Sequence, residues 1–353
     1  MLQTLVVGLG RSGRGLHLPV LNRLRERALP AVDADLFDPG PPLGYDPLPL
    51  PEGSAARGFT PVASLAEARD RLDPARTVVH LCTPPTERVE LMAELIGLGF
   101  RSFVVEKPIG TGSAVVDRLR ALRDEHGVAL AVVAPWLSST LTQRMLETVR
   151  AGSLGRLRRI TVRQRKPRLR RSLSTPSHPT VFDVEPPHAV GVVLRLAGDA
   201  KVVDASWTHA HADGRVVPRM GTSSLTLRHD DGVVSELTCD LTSPVRERSF
   251  TLDFDGGTLV GHYPISEDDH YAHLSVAATG RPATAEVFED DALSACLLRA
   301  YRGLASATDL GADFELQARV VAVLEEAKEL SRADEPGTDI QGSATLRETH
   351  HAG

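Results

Sequence analysis

The stretch LQTLVVGLGRSGRGLHLP, residues 2–19, decides the fold. It begins with a short apolar, β-branched run that ends at glycine, the pattern of a strand buried in a parallel sheet. Gly8, Gly10 and Gly13 follow at once, and HLPVLNRLRERAL (17–29) then reads as a helix. Strand, glycine turn and helix in this order open a βαβ unit. One glycine permits the tight turn, one lets the backbone approach a phosphate, and one lets the helix pack close to the strand. The helix start adds N–H donors and a partial positive charge. The plain alternative is a tight turn that holds nothing.

Working outward, the same rhythm repeats. AVDADLFD (31–38) is predicted as the second strand and residues 39–56 as a proline-rich loop. SLAEARDRL (64–72) is helical, with Ser64 as N-cap and Glu67 three residues on. TVVHLCT (77–83), SFVVEKP (102–108) and VALAVVA (128–134) are further strands. ERVELMAELIGLG (87–99) and SAVVDRLRALRDEHG (113–127) are the helices between them. Strands alternating with helices of this length predict a doubly wound parallel sheet, so 1–134 is read as a dinucleotide-binding Rossmann domain.

LSSTLTQRMLETVRAG (137–152) is a linking helix that closes at Gly152. From 157 to 265 alternating runs are joined by Asp231-Gly232 and Gly256-Gly257, which are hairpin signals. This predicts an α+β domain over 135–332 with an open-faced, largely antiparallel sheet, helical again over 286–332. The polar tail 333–353 is expected to be flexible.

Bulk composition narrows the function classes. The 353 residues are too many for one ordinary core and suit two domains. Hydrophobic residues make up 42% and charged residues 24%, ordinary for a globular protein, and the net charge of −6 argues against nucleic acid. No apolar run is long enough to span a membrane, and the N-terminus lacks the pattern of a signal peptide. Cys82, Cys239 and Cys296 are odd in number and far apart, so reduced thiols in a cytoplasmic protein are expected. The histidines show no metal-ligand spacing, and no metal is assigned.

Two positions carry the chemistry expected of the first domain. Asp38 ends the predicted second strand 25 residues after Gly13. A carboxylate there would bind ribose hydroxyls and repel a 2′-phosphate, which favours NAD over NADP. The alternative is that Asp38 caps the Asp-Pro-Gly turn. In VVEKPIG, Glu106, Lys107 and Pro108 end a parallel strand, at the edge where such sheets bind ligands. A lysine there can exchange a proton with a substrate oxygen during hydride transfer. The alternative is a surface lysine at a strand end.

Several landmarks now stand in order: GLGRSG (8–13) with HLP (17–19), CTPP (82–85), EKP (106–108), AGSLGRL (151–157) and HAVGVVLRLAG (188–198). Together they resemble the glucose–fructose oxidoreductase / inositol dehydrogenase (Gfo/Idh/MocA) family over residues 1–330. The resemblance implies an NAD(P)-dependent oxidoreductase with an open sheet that mediates a homodimer or homotetramer. It implies Lys107 as catalytic lysine and His188 as substrate-binding or acid/base histidine. Gly8, Gly10, Arg11, Ser12 and Gly13, with Cys82, Thr83, Pro84, Glu106 and Lys107, would then face the cofactor. The chain also departs from the family. Arg88 stands where a histidine is usual, Trp136 falls at or near a basic substrate-side position, and Val184 replaces an aspartate four residues before His188. These changes speak against the usual polyol substrates.

In FDVEPPHAV (182–190), Pro186-Pro187 suits a helix start, which puts His188 in the first turn. The apolar positions Val190, Val193, Leu194 and Ala197 lie on one face and Gly198 closes the helix. Glu185, before a proline, is expected to be extended. A helix N-terminus disfavours imidazolium, so His188 should be neutral. Glu185 either partly replaces the missing aspartate or only complements the helix end.

RLRRITVRQRKPRLRR (156–171) carries nine basic residues in 16. It admits an anionic substrate, free or tethered to an acidic carrier protein, or a charged edge that blocks strand pairing, or least readily nucleic acid. The reading that results is hydride transfer between NAD(P) and a C–OH or C=O group of a sugar, cyclitol or related small molecule. A C=N reductase and a non-catalytic dinucleotide-binding regulator are the alternatives.

Overall fold

Six parallel strands form the first sheet: β1 (Gln3–Val7), β2 (Leu43–Tyr45), β3 (Thr60–Pro61), β4 (Thr77–Leu81), β5 (Ser102–Glu106) and β6 (Ala129–Val133). Their order is β3-β2-β1-β4-β5-β6. The computed structural model describes residues 1–26, 33, 35–49, 58–174, 178–266, 269–306, 308 and 310–333. Alternation divides the buried strand residues between two faces. Leu5, Val7, Val79, Leu81, Phe103 and Val105 pack under α2 (Leu65–Arg71), α3 (Arg88–Gly97) and α4 (Ser113–His126). Val6, Val78 and Val104 pack under α1 (Leu18–Glu26), which follows a single π-helical turn at Gly13–His17. Apolar runs without a polar alternate are what a strand covered on both faces requires. The predicted cap is present: Ser64 Oγ accepts from the Glu67 N–H at 3.0 Å.

The second strand differs from its prediction. Phe37 makes only one bridge, to Leu2, and residues 31, 32 and 34 lie outside the described residues. The chain then detours past Pro39, Pro41 and Pro42, which have no N–H for a ladder, and rejoins the sheet as β2. Leu43, Gly44 and Tyr45 pair with Leu5, Val6 and Val7. A three-residue strand inside a proline-rich loop has too little periodicity to be read. Gly44 is needed there because a Cβ would stand 2.6 Å from the Phe59 ring.

After α5 (Pro135–Ser138) and α6 (Thr140–Ala151) comes β7 (Leu157–Arg165), then α7 (Leu169–Ser174) and α8 (Pro186–Ala197). The strands β8 (Ala200–Trp207), β9 (Ala210–Ala212), β10 (Arg215–Val217), β11 (Thr222–His229), β12 (Val234–Asp240), β13 (Glu247–Phe254), β14 (Gly257–His262), β15 (Tyr271–Ala278) and β16 (Thr284–Glu289) follow. Seven of them join β7 in one eight-stranded sheet, β16-β15-β14-β13-β7-β12-β11-β8, antiparallel except at β7–β12. β7 is therefore a central strand, and edge protection is not what its charges do. Residues 286–289 are strand rather than the predicted helix. They are mostly exposed, with only Phe288 partly buried against the core, so no buried alternation marks them.

α8 begins at the proline pair, with Gly198 at φ +79° beyond its end. It is buried nearly all round, not on one face, because it is enclosed between the sheet and other helices. Two C-terminal helices return to the first unit. α9 (Ala292–Ala305) adds Cys296, Leu297, Ala300 and Tyr301 to the core over α1. α10 (Gly311–Ala333) gives Phe314 and Val321 to one core and Leu316, Val320, Val323 and Leu324 to the other. Among the described residues no helix is long and apolar enough to cross a membrane. Residues 334–353 of the predicted tail lie outside the description.

Candidate active site

The three glycines after β1 serve three distinct ends. Gly8 has φ +90°, and a Cβ on it would meet the Cys82 carbonyl carbon at 2.8 Å. A Cβ on Gly13 would stand 2.0 Å from the Gly8 oxygen. Around Gly10 nothing lies within 4 Å, so its backbone is open to a ligand. The loop lies between β1 and β4, where strand order reverses, which is where such sheets bind dinucleotides. Beside it Thr83 is buried, and its hydroxyl has no hydrogen-bond partner among the described residues. An open backbone and an unsatisfied buried hydroxyl fit a dinucleotide at this edge.

Asp38 is at the wrong end of the sheet. Its N–H donates to the Leu2 carbonyl, before β1, and its Oδ1 accepts from Gly40 N–H at 2.9 Å. Six residues of extended chain, about 20 Å, separate Leu2 from Gly8. Asp38 caps a turn and cannot reach a ribose. The carboxylate at the end of β2 is Asp46, whose Oδ2 accepts from Leu9 N–H at 2.6 Å. Placing β2 correctly would have found it.

Beneath the loop runs a buried polar chain. Glu106 Oε1 accepts from Ser12 Oγ at 2.6 Å and from His17 Nε2 at 2.9 Å. His17 Nδ1 meets His80 Nδ1 at 2.8 Å, and His80 Nε2 reaches the Tyr301 hydroxyl at 3.0 Å. Burial opposes charge on His17, but Cys82 and Glu106 reverse this and raise it to about 10. Burial likewise opposes the Glu106 carboxylate, yet His17, Ser12 and Lys107 bring it down to about 2. His80, buried beside that cation, is held well below the usual imidazole range. A cationic His17 thus donates to Glu106 and to neutral His80, which donates onward to Tyr301. The HLP triplet at 17–19 was the sequence signal for His17, though not for its partners.

Arg88 is buried and ties the loops after β4 and β5 together. Its Nε and Nη2 donate to the Thr83 carbonyl at 3.1 and 2.9 Å, and its Nη1 donates to the carbonyls of Glu106 and Pro108. The arginine that replaces a usual histidine therefore braces the backbone on both sides of Lys107. Pro84 is exposed at the start of that loop and Cys82 is partly buried under it.

Lys107 and His188 line one cavity of about 370 Å³ with Arg11, Ser12, Glu106, Val184 and Glu185. Lys107 Nζ donates to the Val184 carbonyl at 3.4 Å, so Val184 meets the lysine through its main chain. Burial lowers the Lys107 ammonium from its usual value, and Glu106 and Glu185 oppose this. Burial, then the Lys107 charge, holds His188 well below the imidazole range. The expected neutral histidine is present, through burial more than through the helix end.

Glu185 is not extended. It caps α8 at φ −99°, ψ −36°. Its carboxylate accepts from Lys166 and lies 3.6 Å from Arg248, while its carbonyl accepts from Gln164 Nε2 at 3.1 Å. Burial raises this carboxyl, but Lys166 and Arg248 push it well below the carboxylate range. Asp183 caps a short turn through Thr180 and pairs with Lys328, away from His188. Trp136 stacks on His188 at 5.2 Å and on Tyr263 at 4.3 Å between ring centres. It lines an adjoining cavity of about 360 Å³ with Arg248 and Tyr263 and fixes the plane of the His188 ring. Lys166, Arg248 and Tyr263 were missed, because nothing local in the sequence ties them to His188.

No protein-family model matches the chain, and no curated protein matches it. Solved structures do. A candidate NADPH-dependent oxidoreductase of Desulfitobacterium hafniense aligns with 94% of this chain and 96% of its own, at TM-score 0.76 and 16% identity. KijD10, a 3-ketoreductase of Actinomadura kijaniata seen with TDP-benzene and NADP, aligns over 93% and 97%, at TM-score 0.73 and 16% identity. UDP-N-acetylglucosamine 3-dehydrogenase GnnA of Acidithiobacillus ferrooxidans aligns over 94% and 97%, at TM-score 0.69 and 18% identity. At these identities the shared property is the fold: a Rossmann-type domain joined to an α+β domain with an open sheet.

Proposed function

We propose that this chain is an NAD(P)-dependent oxidoreductase of the Gfo/Idh/MocA type, acting at a C–OH or C=O carbon of a sugar or related small molecule. The observation that carries this reading is the meeting of Lys107 and His188 in one cavity with glycine-loop residues. The ligands named for KijD10 and GnnA, which share the fold, lend support.

When bound, the nicotinamide accepts or delivers the hydride. Lys107 gives a proton to the substrate oxygen in reduction and takes one back in oxidation. Neutral His188 hydrogen-bonds an oxygen of the same substrate, held flat by Trp136. Glu185 acts through Lys166 and Arg248, as a positioning group. Asp46, not Asp38, is the carboxylate that bears on the choice between NAD and NADP. The sheet face away from α6, α8 and α10 is the proposed surface for a homodimer or homotetramer.

The test is NADH and NADPH oxidation across aldoses, ketoses, inososes and imines. Carbonyl reduction that is lost in Lys107→Met supports the reading. Tight cofactor binding with no turnover of any substrate makes the chain a regulator instead.

A further inference from the structure

The cavity that holds Lys107 and His188 has an unusual charge for a protein of net −6. Arg11, Lys107, Lys166, Arg168, Arg171, Arg246 and Arg248 line it, against only two carboxylates, Glu106 and Glu185. Both carboxylates are already engaged, one by His17 and Ser12, the other by Lys166 and Arg248.

Strand alternation builds this wall. Arg159 and Arg165 pair with Glu236 and Glu247 in exposed contacts across the sheet, and Arg158, at a bulge opposite Asp253 and Phe254, pairs with Asp255. Gln164, Lys166 and Arg168 fall on the other side, toward α8. The backbone fixes them there: Lys166 N–H donates to Asp240 and Arg168 N–H to Leu241. Arg168 is 4% exposed. Burial, then Arg171 and Arg11, lower its guanidinium to about 10, and burial with Arg11 lowers Arg171. Arg11 comes from the first unit and the other two from the second, so three guanidiniums crowd together across the cleft. An oxyanion between them would relieve that repulsion.

We infer that Arg11, Arg168 and Arg171 form a subsite for a phosphoryl group carried by the substrate, as in a sugar phosphate or a nucleoside-diphosphate sugar. This rests on the oxidoreductase reading and names its substrate class. A phosphoryl group carries about two charges and three acceptor oxygens, and so can occupy more than one arginine fork, where a carboxylate suits one. The substrate is favoured as its source over the cofactor diphosphate. Arg11 and Ser12 of the glycine loop border this cavity, but Arg168 and Arg171 come from the second unit and line it together with both reacting groups, Lys107 and His188.

The test first establishes NADH or NADPH binding by nicotinamide fluorescence. UDP and glucose 6-phosphate are then titrated into the cofactor-loaded protein, against uridine and glucose. The phosphorylated probes should bind more tightly, and Arg168→Ala/Arg171→Ala should weaken them ~10- to 100-fold. Cofactor affinity should stay within about twofold. Arg171→Gln, at a partly exposed site, serves if the double variant does not fold, and Arg163→Ala on the outer face should change nothing. Equal binding of phosphorylated and neutral probes overturns the subsite. So does a double variant that loses cofactor and not UDP, which would assign the anion to the cofactor. Failure to bind either dinucleotide sinks the oxidoreductase reading instead, and UDP binding to the unloaded protein then tests the subsite alone.

Discussion

The two walls of the cleft are built in different ways. The wall from the first unit is set by backbone: a glycine loop and two loops braced by Arg88, which place Arg11, Ser12, Glu106 and Lys107 at the cavity. The wall from the second unit is side chain: Lys166, Arg168, Glu185, His188 and Arg248, from the chain after β7, the N-terminal end of α8 and β13. A backbone site depends on neighbours in sequence and tolerates little change in shape. A side-chain site depends on charge balance between distant segments, and can change ligand without changing fold.

The largest effect should sharpen this contrast at Lys107, which reaches from the first wall to the Val184 carbonyl of the second. Lys107→Met should lower kcat by ~10²- to 10⁴-fold while NAD(P)H binding, read by fluorescence titration, persists. A variant with unchanged kcat removes Lys107 from proton transfer. Next comes the backbone wall. Gly13→Ala forces a methyl into the Gly8 oxygen and should cost about 1–3 kcal/mol or more, seen as a fall in Tm. Gly10→Ala, with open space around it, should leave Tm within about 0.5 kcal/mol of wild type and weaken the cofactor instead. Equal Tm losses at the two positions would contradict the division of labour among the glycines.

The histidines separate the two walls by pH. His188, held neutral in the fold, takes up a proton on unfolding below about 6.5. Stability should therefore fall as pH drops below that value, by at most about 1.4 kcal/mol per pH unit from this residue, and His188→Gln should flatten the acid limb. His17 is raised to about 10, so its contribution is complete below about 6.5 and is lost as pH climbs toward 10. His17→Gln should flatten the alkaline limb. Thermal melts at stepped pH measure both, and unchanged limbs would refute the assignment. The smallest effect concerns the cofactor. Asp46→Asn should raise the NADPH-to-NADH ratio of kcat/KM by about tenfold, ~1.4 kcal/mol, while Asp38→Asn leaves it unchanged. A shift at Asp38 alone would restore the sequence-based choice.

Much of this was legible beforehand. The strand–glycine–helix opening, the alternating rhythm to residue 133, the hairpins at Asp231-Gly232 and Gly256-Gly257 and the helix start at Pro186 all rest on short-range spacing. Phe37 and Asp38 misled because a genuine apolar run there touches the sheet at one bridge only, while three prolines hid the strand that follows. The basic run misled in a different way. Its composition is one feature, but alternation divides it, with one side paired across the outer sheet and the other facing the cleft.

The sequence by itself determined the layer order of the first unit, the open backbone of the glycine loop and the places of Lys107 and His188. Each depends on residues within one turn or one strand of it. Only the tertiary structure decided that Asp46 stands where Asp38 was expected, that Glu185 answers to Lys166 and Arg248, and that α9 and α10 close the first unit's core from the far end of the chain. These outcomes turn on which charged or apolar groups meet across long sequence separations. Spacing along the chain carries no record of such meetings, because they are set by the packing of whole elements.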